Sequence, residues 1–130
     1  MRKRLVIEND DKCFTVGDVL EISKEVQIPV VYDTLHNAVN PCDPRISDAE
    51  WIDFCRSTWL DGDGPQKIHY SQQAIGKPPG SHSESIDVEE FMAFYETVKE
   101  KDLDIMLEVK DKNLSALKCI QAILIKIPGT

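Results

Sequence analysis

Apolar residues recur along this chain in two alternating rhythms. Short, largely apolar runs, RLVIE (4–8), IPVVYD (28–33), KIHYS (67–71) and DIMLEV (104–109), alternate with longer stretches whose apolar positions return every three or four residues. The first kind predicts strands and the second amphipathic helices. Thr15, with Asp18 in the first turn, predicts the start of a helix carrying Val16, Val19, Leu20 and Ser23 on one face. Ser47 and Glu50 have capping-box spacing ahead of a helix expected to bury Trp51, Phe54 and Cys55. Asp87 with Glu90 precedes a helix bearing Phe91, Phe94, Tyr95 and Val98, and NLSALKCIQAILIK (113–126) is the last helix. HNAVNPCDPR (36–45) reads as a long loop and DGDGPQ (61–66) as a turn. QQAIGKPPGSHSES (72–85) is rich in Gly, Pro and Ser and long for a strand-to-helix connection, which marks functional or mobile segments.

Strand followed by helix, four times over, predicts a parallel α/β sheet. A closed (β/α)₈ barrel needs about 250 residues, and this chain has 130. Four parallel strands do not close such a barrel, and they leave two edges that invite pairing. The pattern admits a half-barrel fragment, a half that pairs with another half, or a complete four-stranded open fold.

Composition narrows the class. With 42% hydrophobic and 29% charged residues, the chain reads as globular rather than disordered. No apolar run approaches the roughly 18 residues of a membrane span, so no membrane partner is expected. MRKRLVIEND lacks the apolar stretch and small-residue site of a signal peptide. Cys13, Cys42, Cys55 and Cys119 are scattered without a C-x-x-C, which suits a reduced cytoplasmic chain with Cys55 and Cys119 on helix core faces. The net charge of −8 counts against nucleic acid, unless bound divalent cations or a partner segment offset it.

Histidines and carboxylates interleave at the strand ends. Glu8 closes the first strand, where a carboxylate of a parallel barrel enters the active site; the alternative is a solvated acidic loop continuing through Asn9, Asp10 and Asp11. Asp33 and His36, three residues apart at the second strand end, offer a hard oxygen and an imidazole nitrogen, a donor mix suited to Zn, Mn or Fe. Their alternative is a helix cap followed by a surface histidine. Lys67 and His69 alternate along the third strand and face one side, with Ile68 toward the helices. Glu108 and Lys110 do the same on the fourth, and a salt bridge from Lys67 or Lys110 is the metal-free way to satisfy Glu108. His82 lies in the Gly- and Pro-rich loop and gains weight only from this company. Phosphate-loop, dinucleotide-fold, serine-hydrolase and H-E-x-x-H motifs are absent. Trp51 and Trp59 read as core or interface residues.

The succession VIEND, IPVVYDTLHN, TW, QKIHYSQ, GSHSESI and DIMLEVKDKNLSAL resembles the UV-damage endonuclease family, over nearly the whole chain. The resemblance implies the C-terminal half of a TIM barrel of the xylose-isomerase-like, apurinic-endonuclease-like group, four βα units over residues 1–130. It implies that Glu8, Asp33, His36, His69, His82 and Glu108 are ligands of up to three divalent metals, manganese being expected and zinc the competitor. Glu8 would bridge two metals, Asp33, His69 and Glu108 would share a central one, and His36 and His82 would serve another. Lys67 would act near the metals and the phosphate. The implied reaction is metal-assisted nicking of damaged double-stranded DNA 5′ to UV photoproducts and, in many members, abasic sites. The family's first four βα units, with two further histidine ligands and the lesion-probing side chains, have no counterpart in this sequence, so the half alone is expected to be a weak or inactive nuclease. Its partner would be the N-terminal half-barrel or a second copy. Two rivals stand beside this: a sugar isomerase of the same metal-barrel group, and a non-catalytic metal-binding fragment.

Overall fold

The computed structural model describes residues 5–126. Two compact units share the chain: one runs up to Tyr70 and takes in Asp102–Met106, and the other comprises Ser71–Lys101 and the chain from Leu107 onward. The strands are β1 (Ile7–Glu8), β2 (Val30–Asp33), β3 (Gln66–Tyr70) and β4 (Leu103–Leu107), in the sheet order β1-β2-β3-β4. β1 pairs parallel with β2 and β2 parallel with β3, with Glu8 opposite Val31 and Asp33 opposite His69. The helices are α1 (Val16–Val26), α2 (Thr34–Val39), α3 (Asp48–Arg56), α4 (Val88–Val98) and α5 (Asn113–Lys126). This is the predicted fourfold βα order, with β1, β2 and β4 shorter than expected and β3 shifted one residue toward the N-terminus. The expected first strand included Arg4, which lies outside the described residues, and the expected fourth strand continued through Glu108 and Val109, whereas β4 ends at Leu107.

Local chemistry sets the helix starts. Thr15 accepts a hydrogen bond from the Asp18 N–H while the Asp18 carboxylate accepts from the Thr15 N–H. Ser47 and Glu50 repeat this reciprocal pair at α3. At α4 only the forward half forms: the Asp87 side chain accepts from the Glu90 N–H. α2 overlaps the expected 36–45 loop. Its start is capped by Asp33 itself, which doubles as a strand end, and six residues are too few to display a helical period. Gly17, a helix-interior glycine that would otherwise weaken α1, lies where a Cβ would meet Cys42 Sγ at 2.6 Å.

In the first unit the core lies between the sheet and α1 and α3. Val30, Val31, Tyr32 and Ile68 come from the strands, Val16 and Val19 from α1, and Trp51, Ile52 and Cys55 from α3. Phe54, expected inside, is half exposed; it stands beside Trp51 at 5.6 Å, and Ile52 takes the buried position. The end of α3 is tied to β2 by polar contacts: the Trp59 indole N–H donates to the Val30 carbonyl (2.9 Å) and Thr58 Oγ1 accepts from the Val30 N–H (2.8 Å). The hydroxyl of buried Tyr32 donates to Asp48, whose carboxyl is raised above its ordinary pKa by burial. Tyr32→Phe removes the hydroxyl aimed at that carboxylate. It is expected to cost about 1–3 kcal/mol, measured as a lower urea midpoint; an unchanged midpoint would show that water replaces the tyrosine without loss.

The second unit packs α4 on α5, and Phe91, Met92, Val98 and Cys119 are buried in it. Phe94 and Tyr95 are only partly buried, so the expected four-residue aromatic face narrows, with Met92 inside instead. The 72–85 segment is a knit structure. Gln73 and His82 form an antiparallel bridge, and the Ala74 N–H donates to the Ser81 carbonyl. The Gln73 side chain spans the turn, donating to the Ala74 and Pro78 carbonyls and accepting from the Gly80 N–H at 2.8 Å. The Gln72 side-chain amide pairs with both the N–H and the C=O of Asp87, fixing the entry to α4.

Candidate metal centre

The C-terminal ends of β1, β2 and β3 bring together Glu8, Asp33 and His69. One ligand atom from each lies within 4.8 Å of the others, the group of this kind among the described residues. His69 Nδ1 is 3.2 Å from a Glu8 oxygen and 3.9 Å from Asp33 Oδ2. These separations bracket the roughly 3.4 Å between two ligands on one tetrahedral metal, and the shorter one is also that of a hydrogen bond. Two carboxylate oxygens and an imidazole suit Zn, Mn or Fe. The register explains the convergence. Asp33 is directly opposite His69 on neighbouring parallel strands, and alternation turns Lys67 and His69 away from the buried side chains of Gln66, Ile68 and Tyr70.

The electrostatics favour an ionised Glu8. The hydrogen bond with His69 is the main influence holding the Glu8 carboxyl below its ordinary pKa; partial burial and the neighbouring Asp10 oppose it, and the charges of His69 and His36 assist. Asp33 is fully buried and serves two purposes. Its Oδ1 accepts the His36 N–H at 2.9 Å, capping α2, while Oδ2 faces His69. The helix-cap alternative is therefore realised on Oδ1, while Oδ2 stays turned toward His69. His36 Nδ1 lies 2.8 Å from the Asn9 carbonyl oxygen and 3.4 Å from Asp33 Oδ2. Asp10, by contrast, is a turn former: its Oδ1 accepts from the N–H groups of Lys12, Cys13 and Phe14, which lowers its pKa.

Lys67 shares the strand face of His69. Its ammonium is 5.3 Å from the centre of the Trp59 ring and 3.9 Å from an Asp104 oxygen. His82 and Glu108 belong to the second unit. There the Ser83 carbonyl accepts from the Lys110 N–H at 3.3 Å and the Glu84 carbonyl from the Asp111 N–H at 3.0 Å, so His82 and Glu108 ride on neighbouring segments. The Lys110 ammonium goes to Glu84 at 3.2 Å. Sequence reasoning overlooked Asn9, read as part of an acidic loop, and the pairing of Trp59 with Lys67. A buried asparagine after a strand has the same sequence signature as a solvated one.

Acids and an imidazole gathered at the C-terminal ends of parallel strands define the class: a parallel α/β protein of the TIM-barrel type with a metal-capable cluster where such barrels place their chemistry. The family model described as UV-endonuclease UvdE matches residues 1–127, and the chain belongs to that family. It is 49% identical over 123 residues to the UV DNA damage endonuclease of Clostridium perfringens, covering 94% of this chain and 30% of that protein. Against the UV DNA damage endonuclease of Bacillus cereus (strain 03BB102) the identity is 32%, covering 93% of this chain and 38% of the relative. The crystal structure of SacUVDE, a TIM barrel, superposes with a TM-score of 0.83 at 42% identity, over 95% of this chain and 41% of that one. The chain thus spans well under half the length of these relatives. No helix of the described residues is long and apolar enough to cross a membrane.

Proposed function

We propose that this chain forms the C-terminal four βα units of a metal-dependent repair endonuclease that nicks double-stranded DNA 5′ to UV photoproducts and abasic sites. The observation that carries the reading is the convergence of Glu8, Asp33 and His69 at three adjacent strand ends. These residues would hold a divalent ion, manganese before zinc, with His36, His82 and Glu108 completing a cluster of up to three. Such ions lower the pKa of a bound water and stabilise charge on a phosphodiester. The chain's own residues do the rest. Glu8 stays ionised through its contact with His69. Asp33 is fixed by its cap at α2. Lys67, steadied between the Trp59 ring and Asp104, offers a positive charge to a phosphate oxygen. Bound cations also offset the net charge of −8 that otherwise opposes DNA. The setting is the cytoplasm.

The site acts together with a complementary half-barrel. Every residue of β2 is buried, whereas β4 alternates half-buried and exposed positions, with Met106 52% exposed. In the second unit, α5 exposes Leu114, Leu117, Ile120 and Leu124 at helical spacing. Apolar surface of this kind is what a further set of βα units, or a second copy, would cover. The test is nicking of a UV-irradiated, end-labelled duplex in Mn²⁺ by the chain alone and by the chain mixed with the remaining barrel portion of a full-length relative. Little or no cutting alone and restored cutting 5′ to the lesion in the mixture is the expected result. Full activity of the chain alone would overturn the need for a complement. Metal binding with no cutting in either case would favour a non-catalytic metal-binding fragment.

A further inference from the structure

Asn9 is completely buried at the point where β1 ends. Its side-chain amide faces the backbone of Asp33: Nδ2 donates to the Asp33 carbonyl at 3.0 Å, and Oδ1 accepts from the Asp33 N–H at 2.9 Å. A primary amide carries the donor and acceptor of a peptide group. Asn9 therefore extends the β1–β2 pairing with a side chain where the β1 backbone has stopped making it, and it holds β2 at the residue that sits opposite His69. The backbone of Asn9 acts on a second residue, since its carbonyl oxygen is 2.8 Å from His36 Nδ1. A carbonyl oxygen only accepts, so Nδ1 carries the hydrogen, and in the neutral imidazole Nε2 then keeps the lone pair.

We infer that Asn9 is a positioning residue of the metal centre, setting the place of Asp33 and the tautomer of His36 through one buried amide and its own carbonyl. The inference rests on the reading of these side chains as metal ligands. Outer partners that orient ligand histidines by hydrogen-bonding the far ring nitrogen are a general feature of metal sites, and their loss typically weakens metal binding about 10–100-fold. The chemistry is specific to asparagine. Aspartate would set an oxygen against the Asp33 carbonyl, glutamine is a methylene too long for the closed pair, and alanine offers neither group.

The experiment has two readouts on the full chain. Long-range ¹H–¹⁵N correlations of the metal-free protein report the tautomers of its three histidines, with His36 assigned by loss of its signals in His36→Gln. Neutral His36 is expected as the Nδ1–H form, with that preference lost in Asn9→Ala. Mn²⁺ affinity is then compared among the parent chain, Asn9→Ala and Thr15→Ala, the last a capping variant away from the site that controls for general destabilisation. Asn9→Ala is expected to bind Mn²⁺ about 10–100-fold more weakly, and Thr15→Ala to bind as the parent does. An Nε2–H tautomer in the parent chain, or parental Mn²⁺ affinity in Asn9→Ala, overturns the inference. If Asn9→Ala does not fold, the tautomer in the parent chain still decides. If the parent chain binds no Mn²⁺, the metal reading fails by itself while the tautomer measurement continues to test Asn9.

Discussion

Replacing His69 with alanine is expected to abolish the stabilisation of this chain by Mn²⁺ or Zn²⁺ while leaving the metal-free protein nearly as stable as before. The imidazole supplies the nitrogen of the ligand triad and approaches both carboxylates. It lies on the face of β3 opposite the buried Ile68 and Tyr70, so truncating it opens no cavity in the core. Loss of a direct ligand should exceed the roughly 10–100-fold effect of an outer partner. A metal present at a hundred times its dissociation constant stabilises the folded state by about 2.7 kcal/mol, which is a readily measured rise in Tm. The parent chain should show that rise, with near-stoichiometric metal by elemental analysis, and His69→Ala should show neither. An equal metal-induced rise in the variant would remove His69 from the site. A variant already much less stable without metal would mean that the histidine serves the fold first.

One residue earlier on the same strand, Ile68→Ala is expected to do the opposite. Ile68 is fully buried among the strand and helix residues of the first unit. Removing its branched side chain forfeits transfer free energy and leaves a cavity, at a cost of about 2–5 kcal/mol. That is a large share of the roughly 5–15 kcal/mol that holds a typical domain together. The urea midpoint should fall steeply, and metal affinity should change only through the unfolded fraction. A loss below about 1 kcal/mol would mean that the space behind β3 collapses around the shorter side chain. The two variants together separate the chemical face of β3 from its structural face.

The alternation that predicts this division is plain in KIHYS, and for a physical reason: strand side chains change face at every residue, so Ile68 between Lys67 and His69 can be assigned without knowing the fold. The same holds for α1 and α3, whose reciprocal capping pairs lie within four residues of sequence. Local chemistry does not reach as far as Phe54 or Ile52. Both suit a helix core face, and only the packing of α3 on the sheet places Ile52 inside and leaves Phe54 half exposed. α2 was invisible for another reason. It is six residues long and is started by an aspartate that the sequence also presents as a strand end.

Periodicity and capping are encoded within a few residues, so the fourfold alternation of strand and helix, most of the apolar faces and a set of acids and histidines near strand ends can be read from the chain alone. Tertiary structure alone decided which of those groups meet. The parallel register sets Asp33 opposite His69, and the sheet order brings Glu8 within reach of that imidazole. It also turned Asn9 from a loop residue into a buried clamp on Asp33 and His36, contacts that span 24 and 27 positions of the chain. No local pattern encodes such contacts, because they exist only once β1 and β2 lie side by side.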